Sequence, residues 1–218
     1  MTPAVPRLHG LPPLIDAQTR VLVLGSFPSA ASLAAGQYYA HPQNLFWRLL
    51  GEILGQPLRE LDYASRCAAV QAAGIGIWDI YARCRREGSL DSAIREAVPN
   101  DFAFLAKSTP AGRGASYELP ESLKGQALHR PPGDAASRRS LPPDGRDGSP
   151  PVAGAGIVRV CFNGRTAARP RQAIAALGVA VVELPSTSPA NAGIPYAEKL
   201  ARWRAGLTLT DDVGPVSV

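Results

Sequence analysis

Four short apolar segments, each closed by glycine or by turn residues, predict buried β-strands. They are residues 20–26 (RVLVLGS), 75–81 (IGIWDIY), 156–164 (GIVRVCFNG) and the start of 179–189 (VAVVELPSTSP), where the strand should end at Glu183 or Leu184. Continuous apolar runs of this length suit strands that are covered on both faces, as in a parallel sheet.

Helical periodicity fills most of the chain between these strands. Residues 44–55 (NLFWRLLGEILG) place apolar side chains on one face of a helix, with Asn44 at its start and Gly55 at its end. Further helices are predicted over residues 61–74, 89–99, 100–108, part of 165–178 and 196–207. Strands that alternate with helices predict a three-layer α/β/α fold around a central, mainly parallel four-stranded sheet.

The predicted sheet and its helices form a single domain over residues 19–207. A Pro-rich N-terminal arm, residues 1–18, is expected to be irregular, and residues 208–218 are expected to form a flexible tail. Residues 108–155 contain 8 prolines and 7 glycines and keep neither a helical nor a strand period. This segment is therefore predicted to be a disordered insertion, with a lid or binding loop as the alternative.

Composition narrows the function only slightly. The net charge is +5 and the isoelectric point is about 9.4, which permits a polyanionic partner without requiring one. Three isolated cysteines and three scattered histidines predict reduced thiols and no metal site. The chain shows neither a signal peptide nor an apolar run long enough to span a membrane, so a soluble, cytoplasmic protein without an obligate protein partner is expected.

The residues that follow the predicted strands should meet at one edge of the sheet, where ligands bind in such folds. They are residues 25–28 with a long loop behind them, residues 78–79, residues 162–164 and residues 184–189. No P-loop, GxGxxG or GxSxG motif occurs among them. Amides, hydroxyls, one carboxylate and aromatic rings suit a flat polar ring, a phosphate and a water nucleophile.

Four segments in this order resemble the DNA-deoxyinosine (hypoxanthine-DNA) glycosylases, a branch of the uracil-DNA glycosylase superfamily. The segments are VLVLGSFPSAASLAAGQYYAHPQNLFW, IGIWDIY with REGSLDSAI, VCFNGRTA, and LPSTSPANAG. The resemblance covers about residues 20–107 and 156–206. It implies an α/β/α fold, no cofactor, DNA containing deaminated bases as the partner, and hydrolysis of the N-glycosidic bond of a flipped base.

The resemblance also implies where the attacking water is held. Many superfamily members carry an Asp or Asn two residues after the glycine of the first motif, but this chain has Phe27 there, which cannot polarise water. A functional Asn in the HPxN segment matches Asn44, although Asn44 is equally suited to cap the helix that follows it. His41 is a candidate donor to the leaving base or to a phosphate, with a structural role as the alternative.

Five residues are candidates to bind the base, of which Asn163 is described with the Ser-rich loop below. Phe27 and Tyr39 are candidates to stack on it, or else to pack in the core. Asp79 stands where relatives often carry a base-reading Asn, and its carboxylate accepts a hydrogen bond from N1–H of hypoxanthine. The alternatives for Asp79 are a helix cap or an ion pair with a nearby arginine. A backbone amide at Ser26 or Phe27 is available for O6.

The PSTSP segment matches the second superfamily motif, a Ser-rich loop that grips the DNA backbone. Ser186, Thr187 and Ser188 are therefore predicted to bind phosphate, and Asn191 to complete the loop. Some relatives have a histidine in this loop, and this chain has none there. Asn163 is a candidate to read the base, or else part of a plain Asn-Gly turn.

Two other functions stay open from the sequence. A broader glycosylase would also remove uracil or xanthine, and a non-catalytic DNA-binding protein would use the same fold. Phe27 in place of a water-binding side chain favours the second. A small-molecule hydrolase is weaker, and no lysine is placed to act as the amine nucleophile of a lyase.

Overall fold

A computed structural model describes residues 5–106 and 156–208 of the chain. The predicted insertion and nearly all of the predicted tail lie outside these residues. The described part is built on a four-stranded sheet with the strand order β3-β2-β6-β7. Its strands are β2 (Val21–Gly25), β3 (Ile75–Asp79), β6 (Arg159–Asn163) and β7 (Ala180–Leu184), and every neighbouring pair is parallel. The predicted α/β fold with a parallel four-stranded sheet is confirmed.

Within the described residues, five α-helices connect and cover the strands. They are α1 (Ala30–Ala35), α2 (Phe46–Leu54), α3 (Tyr63–Ala72), α4 (Arg171–Ala175) and α5 (Tyr196–Leu207). Local sequence sets their ends: the side chains of Ser29 and Asp62 accept from backbone amides at the starts of α1 and α3, and Gly36 and Gly55 close α1 and α2 in the left-handed conformation. Pro170 stands directly before α4.

The core lies between the central sheet and these helices. Strand β2 is buried along its whole length, and its residues Val21–Leu24 are at most 2% exposed. Phe46, Leu49 and Leu50 of α2 are fully buried, as is Trp203 of α5. Because helices cover the parallel sheet, its strands are apolar along their whole length. Among the described residues, no helix is long and apolar enough to cross a membrane.

A second sheet was not predicted. It is antiparallel, with the order β1-β4-β5, and consists of β1 (Arg7–His9), β4 (Tyr81–Arg85) and β5 (Arg95–Pro99). The N-terminal arm is therefore not irregular throughout, because β1 pairs with β4 and Leu14 forms a bridge with Ile77. The prolines and single apolar residues of this arm show no strand periodicity. Strand β1 is therefore recognised only from its pairing with β4.

Two helices predicted before the insertion are wrong. Residues 89–99 form a short 3-10 turn, Asp91–Ala93, followed by strand β5, because pairing with β4 overrides the weak local preference for helix. The Arg85 side chain joins Glu96 across this pair at 2.9 Å. Residues 100–106 contain only a 3-10 turn, Ala103–Leu105, in which Phe102 packs on Trp78 at 5.4 Å between ring centroids.

The buried Trp203 should be a large contributor to stability. Its indole Nε1 donates to the carbonyl of Pro185 at 2.9 Å, and its ring meets Phe46 edge-on at 5.7 Å. Trp203→Phe removes buried volume and leaves that carbonyl unsatisfied, so we expect the free energy of unfolding to fall by about 2 kcal/mol or more. Urea denaturation measures it. Glu198→Gln, which breaks an exposed pair with Arg202 on the same helix, is the control and should cost under about 1 kcal/mol.

Candidate functional site

A large cavity opens at the carboxyl edge of the parallel sheet. Its volume is about 850 Å³, and the last residues of all four central strands, Gly25, Asp79, Asn163 and Leu184, line it. Parallel strands bring their carboxyl ends to the same edge, which is why segments far apart in the sequence meet here. The described residues contain no cluster of His, Cys, Asp and Glu side chains suited to a metal ion.

Ten of the eleven site residues predicted from the sequence line this cavity. The ten are Ser26, Phe27, Tyr39, Asn44, Asp79, Asn163, Ser186, Thr187, Ser188 and Asn191. His41 is the exception: its ring does not line the cavity, and its Nδ1 accepts from the backbone amide of Gln43 at 3.2 Å. The side chain of His41 therefore belongs to the turn before α2.

Asp79 and Tyr39 form a buried polar pair beside Gly25. A Cβ atom at residue 25 would lie 2.3 Å from Oδ1 of Asp79 and 3.2 Å from the hydroxyl of Tyr39, so a larger residue at the end of β2 would displace the Asp79 carboxyl group. Asp79 is 3% exposed, and neither its Oδ2 nor the Tyr39 hydroxyl has a hydrogen-bond partner among the described residues. Two buried polar atoms beside a cavity are positioned to bind a polar ligand.

Burial changes the protonation of this pair. Loss of solvent, with a smaller contribution from Asp91, raises the pKa of Asp79 from its ordinary value of 3.8 to about 7, against the opposing effect of Arg86. Burial and the Asp79 carboxylate raise the pKa of Tyr39 as well. At neutral pH, Asp79 is therefore divided between a carboxylate and a carboxylic acid that donates as well as accepts. The described residues form no ion pair with it.

Each of the two predicted stacking residues has one ring face occupied. Tyr39 stacks on Phe46 with ring centroids 3.7 Å apart, and its backbone is held at a φ of 54°. Phe27 is 6% exposed and has the Arg86 guanidinium over its ring at 5.1 Å. A base can therefore stack only on the opposite face of either ring.

Arg86 is a buried cation, and it is one of the arginines near Asp79 in the sequence that could have formed an ion pair with that residue. It is 4% exposed, its Nη2 donates to the carbonyl of Pro28, and its Nε and Nη1 have no partner among the described residues. It holds the segment that follows β2 from beneath. A second arginine in a run such as Arg85-Arg86 carries no sequence signal for burial.

Asn44 serves both the helix and the cavity. Its Oδ1 accepts from the backbone amide of Phe46, the first residue of α2, at 3.0 Å, and its backbone amide donates to the His41 carbonyl at 2.8 Å. The Asn44 side chain also lines the cavity. Capping fixes its position, and its Nδ2 donates to no described residue.

The Ser-rich loop, residues 185–191, is held by a polar clamp under its chain. Asn163 Nδ2 donates to the Thr187 hydroxyl at 2.9 Å, and the Thr187 amide donates back to Asn163 Oδ1 at 2.9 Å. Thr187 is fully buried. In this conformation the Thr187 side chain is buried, and both ends of the Asn163 amide bind the loop, so the phosphate role of Thr187 and the base-reading role of Asn163 stay predictions.

Lys199 of α5 holds the same loop from the other side, a role that sequence reasoning missed. Its Nζ donates to the carbonyls of Ser186 at 2.9 Å and Asn191 at 2.6 Å, and only 1% of the residue is exposed. Burial lowers the pKa of this ammonium. The hydroxyls of Ser186 and Ser188 are left on the cavity side, each accepting from a loop amide.

The remaining wall comes from the segment between β4 and β5. Asp91 accepts from the Ser26 hydroxyl at 2.6 Å, which joins this segment to the end of β2. Leu90 also lines the cavity, and so does the exposed Arg165, which follows the Asn-Gly turn after β6. Arg165 was detectable in the sequence as the next polar residue beyond a strand end.

Comparisons with known proteins agree with this geometry. Residues 12–111 match the profile described as the Uracil DNA glycosylase superfamily. Proteins named Hypoxanthine DNA glycosylase from Methanosarcina barkeri and Methanosarcina acetivorans are 43% and 39% identical over 102 residues. Each match covers 47% of this chain and 65% of the relative, so the chain spans slightly less than two thirds of the length of these relatives.

A solved structure extends the similarity beyond that segment. It is the solution NMR structure of a Methanosarcina acetivorans protein provisionally named a uracil DNA glycosylase. The two share 27% sequence identity and superpose with a TM-score of 0.64, over 92% of this chain and 96% of the other.

The raised pKa of Asp79 predicts a pH-dependent stability. A carboxyl whose pKa is higher in the folded state stabilises the fold fully below its unfolded pKa and loses that contribution as pH rises from about 4 to about 7. Asp79→Asn cannot ionise, so we expect it to be more stable than the wild type at pH 8 by a larger margin than at pH 4. Thermal melts at both values measure this margin. Asp101→Asn, an exposed site, is the control, and an Asp79→Asn margin that does not change with pH would contradict the assignment.

Proposed function

We propose that this chain, which carries a uracil-DNA glycosylase superfamily domain, is a monofunctional DNA glycosylase that removes hypoxanthine from deoxyinosine in DNA. The observation that carries the proposal is a pair of buried polar atoms, Asp79 Oδ2 and the Tyr39 hydroxyl oxygen. Neither has a hydrogen-bond partner among the described residues, and both residues line the cavity of about 850 Å³. The names of the Methanosarcina relatives support the same substrate.

Asp79 is suited to read the lactam edge of the base. Hypoxanthine presents an N1–H donor beside an O6 acceptor. A protonated Asp79 accepts from the first and donates to the second, whereas a carboxylate satisfies only N1–H. The pKa of about 7 makes the protonated form accessible at neutral pH. Uracil presents a similar edge, so the depth of the cavity, rather than this pair alone, must select the larger ring.

The proposed reaction needs a water molecule and no cofactor. A base inside a duplex is first extruded into the cavity, because its glycosidic bond cannot be reached in the stack. Asn44 orients a water against C1′. The C1′–N9 bond breaks with its electron pair passing to the base, the water oxygen bonds to C1′, and the water gives up a proton while the base gains one. Hydrogen bonds to O6 spread the charge on the departing base.

The rim is suited to the DNA backbone. The hydroxyls of Ser186 and Ser188 line the cavity on a clamped loop, and the exposed Arg165 stands beside them. Hydroxyls, amides and guanidinium groups are the usual phosphate ligands. The proposed reaction assigns no role to His41, whose ring does not line the cavity.

The test of the proposed function is a single-turnover cleavage assay. Duplexes with one deoxyinosine, deoxyuridine or deoxyxanthosine are incubated with the wild type and with Asn44→Ala, then treated with alkali. We expect the wild type to cut the inosine strand and Asn44→Ala to be slower by about 100-fold or more while it still binds DNA. Loss of the helix cap costs only about 1 kcal/mol, so the variant should stay folded, which a thermal melt checks.

Asn44→Asp is the matched control, because its carboxylate keeps both the cap and an oxygen for the water. It should retain more activity than Asn44→Ala. Wild-type rates in Asn44→Ala would remove Asn44 from the mechanism. No cleavage of any substrate by the wild type, with DNA binding intact, would leave a binding protein on this fold.

The phosphate role of Arg165 has its own measurement. Removing one phosphate contact should weaken binding to all sequences and reduce the slope of log K against log salt concentration by about one. We expect this change in Arg165→Ala, measured by fluorescence anisotropy with a labelled duplex at several salt concentrations. Arg169→Ala is the control, since Arg169 is exposed nearby but does not line the cavity. Equal slopes for the two variants would contradict the role.

A further inference from the structure

The antiparallel sheet, to which the proposed function assigns no role, presents arginines on its outer face. Cys84 of β4 is fully buried, whereas Arg83 and Arg85 on either side of it are exposed and partly exposed. Successive side chains of a strand point to opposite faces, so both arginines lie on the face turned away from the core. Arg7 stands opposite Arg85 in the pairing of β1 with β4 and shares that face.

Positive charge is concentrated on these three strands. Their 13 residues contain four arginines and one acidic residue, Glu96, so they carry +3 of the net charge of +5 on the whole chain. The exposed Glu87 of the β4–β5 connection lowers this excess by one charge and does not reverse it. Glu96 Oε2 accepts from Arg85 at 2.9 Å and lies 3.5 Å from Arg7 Nη2, whereas Arg83 forms no ion pair with the described residues.

Hydrogen bonds join this sheet to the cavity wall at both ends of β4. At its start, the amide of Tyr81 donates to the carbonyl of Ser26 at 3.1 Å. Beyond its end, residues 89–92 line the cavity, and Nη1 of the exposed Arg95 donates to the carbonyl of Ser92 at 2.7 Å. The outer arginines, with Arg95 at their border, therefore continue the cavity wall outwards. We call Arg7, Arg83, Arg85 and Arg95 the basic face.

The basic face and the Ser-rich loop lie on opposite sides of the cavity. The order of the central sheet is β3-β2-β6-β7, and the chain enters β4 from β3, which is one edge strand. Arg165 follows β6, and the Ser-rich loop follows β7 at the other edge. A DNA duplex that delivers a base to the cavity extends to both sides of it, so the second side also needs groups that face phosphates.

We propose that the basic face binds the phosphate backbone of the duplex on one side of the extruded nucleotide. The proposal rests on the proposed function and adds a second DNA contact surface, separate from Arg165 and the Ser-rich loop. Guanidinium groups bind phosphate oxygens through charge-assisted hydrogen bonds, and several on one face suit the regular charges of a duplex. The paired strands keep these arginines at fixed spacings, because same-face residues of one strand are about 6.8 Å apart.

The test measures binding by fluorescence anisotropy at several salt concentrations. Each labelled duplex carries one 2′-fluoro-deoxyinosine, because the fluorine makes the glycosidic bond resist cleavage. The lesion is central in one duplex, and in two others either its 5′ or its 3′ flank is trimmed to a few base pairs. We expect Arg83→Ala to reduce the slope of log K against log salt concentration by about one on the central duplex and on one trimmed duplex. On the other trimmed duplex, which lacks the contacted flank, it should match the wild type.

Two further variants separate charge at this place from charge in general. Arg83→Lys keeps the charge and should keep the wild-type slope on all three duplexes. Arg20→Ala is the matched control, because Arg20 is also exposed but stands just before β2, at the end of the sheet opposite the cavity. It should leave all three slopes unchanged.

The result that would overturn the basic face is a wild-type slope in Arg83→Ala on all three duplexes, or an equal loss in Arg20→Ala. A loss of the same size on both trimmed duplexes would overturn its place on one flank. These measurements do not depend on cleavage. If the wild type cuts no deoxyinosine, the proposed function fails, and the comparison of Arg83→Ala with Arg20→Ala on the central duplex still decides the role of the basic face.

Discussion

The close approach of Asp79 to the backbone of Gly25 sets the geometry of the whole site. The two residues face each other at the last position of the β2–β3 pair, and Oδ1 of Asp79 occupies the place that a side chain at residue 25 would take. The carboxyl group is therefore packed against a strand end and away from water. The raised pKa of Asp79, which is caused chiefly by burial, and its unsatisfied Oδ2 are both consistent with this packing.

On the other side of the cavity, a buried ammonium group and a side-chain amide hold the Ser-rich loop in position. Asn163 binds the backbone amide and the hydroxyl of Thr187, and Lys199 binds two loop carbonyls from the other side, while Ser186 and Ser188 line the cavity. Buried polar groups are costly unless they are fully paired, and a well-paired network makes a loop rigid. The serine residues of the loop therefore stand on a backbone that these hydrogen bonds hold in place.

Residues with a strong periodic or apolar signal were predictable, and residues defined only by tertiary pairing were not. Strand β2 and helix α2 follow directly from their apolar patterns, and the strand ends then predicted most of the cavity wall. Strand β5 was missed because Glu and Ala prefer helix when no partner strand is known. Arg86 and Lys199 were missed because a buried cation looks like a surface cation in the sequence. The burial of Thr187 was missed for the same reason, because a buried hydroxyl looks like an exposed one in the sequence.

The distribution of charge across the site separates an interior with carboxyl groups from a rim with an exposed cation. Asp79 and Asp91 lie in the cavity wall with the Arg86 cation behind Phe27, whereas the exposed Arg165 stands at the rim. An anionic group such as a phosphate is attracted to Arg165 and is repelled by Asp79 when that carboxyl is ionised. A neutral ring avoids that repulsion, and the carboxyl of Asp79 can still take up a proton near neutral pH. Under the proposed function, the same buried carboxyl would therefore exclude the DNA backbone and accept the base.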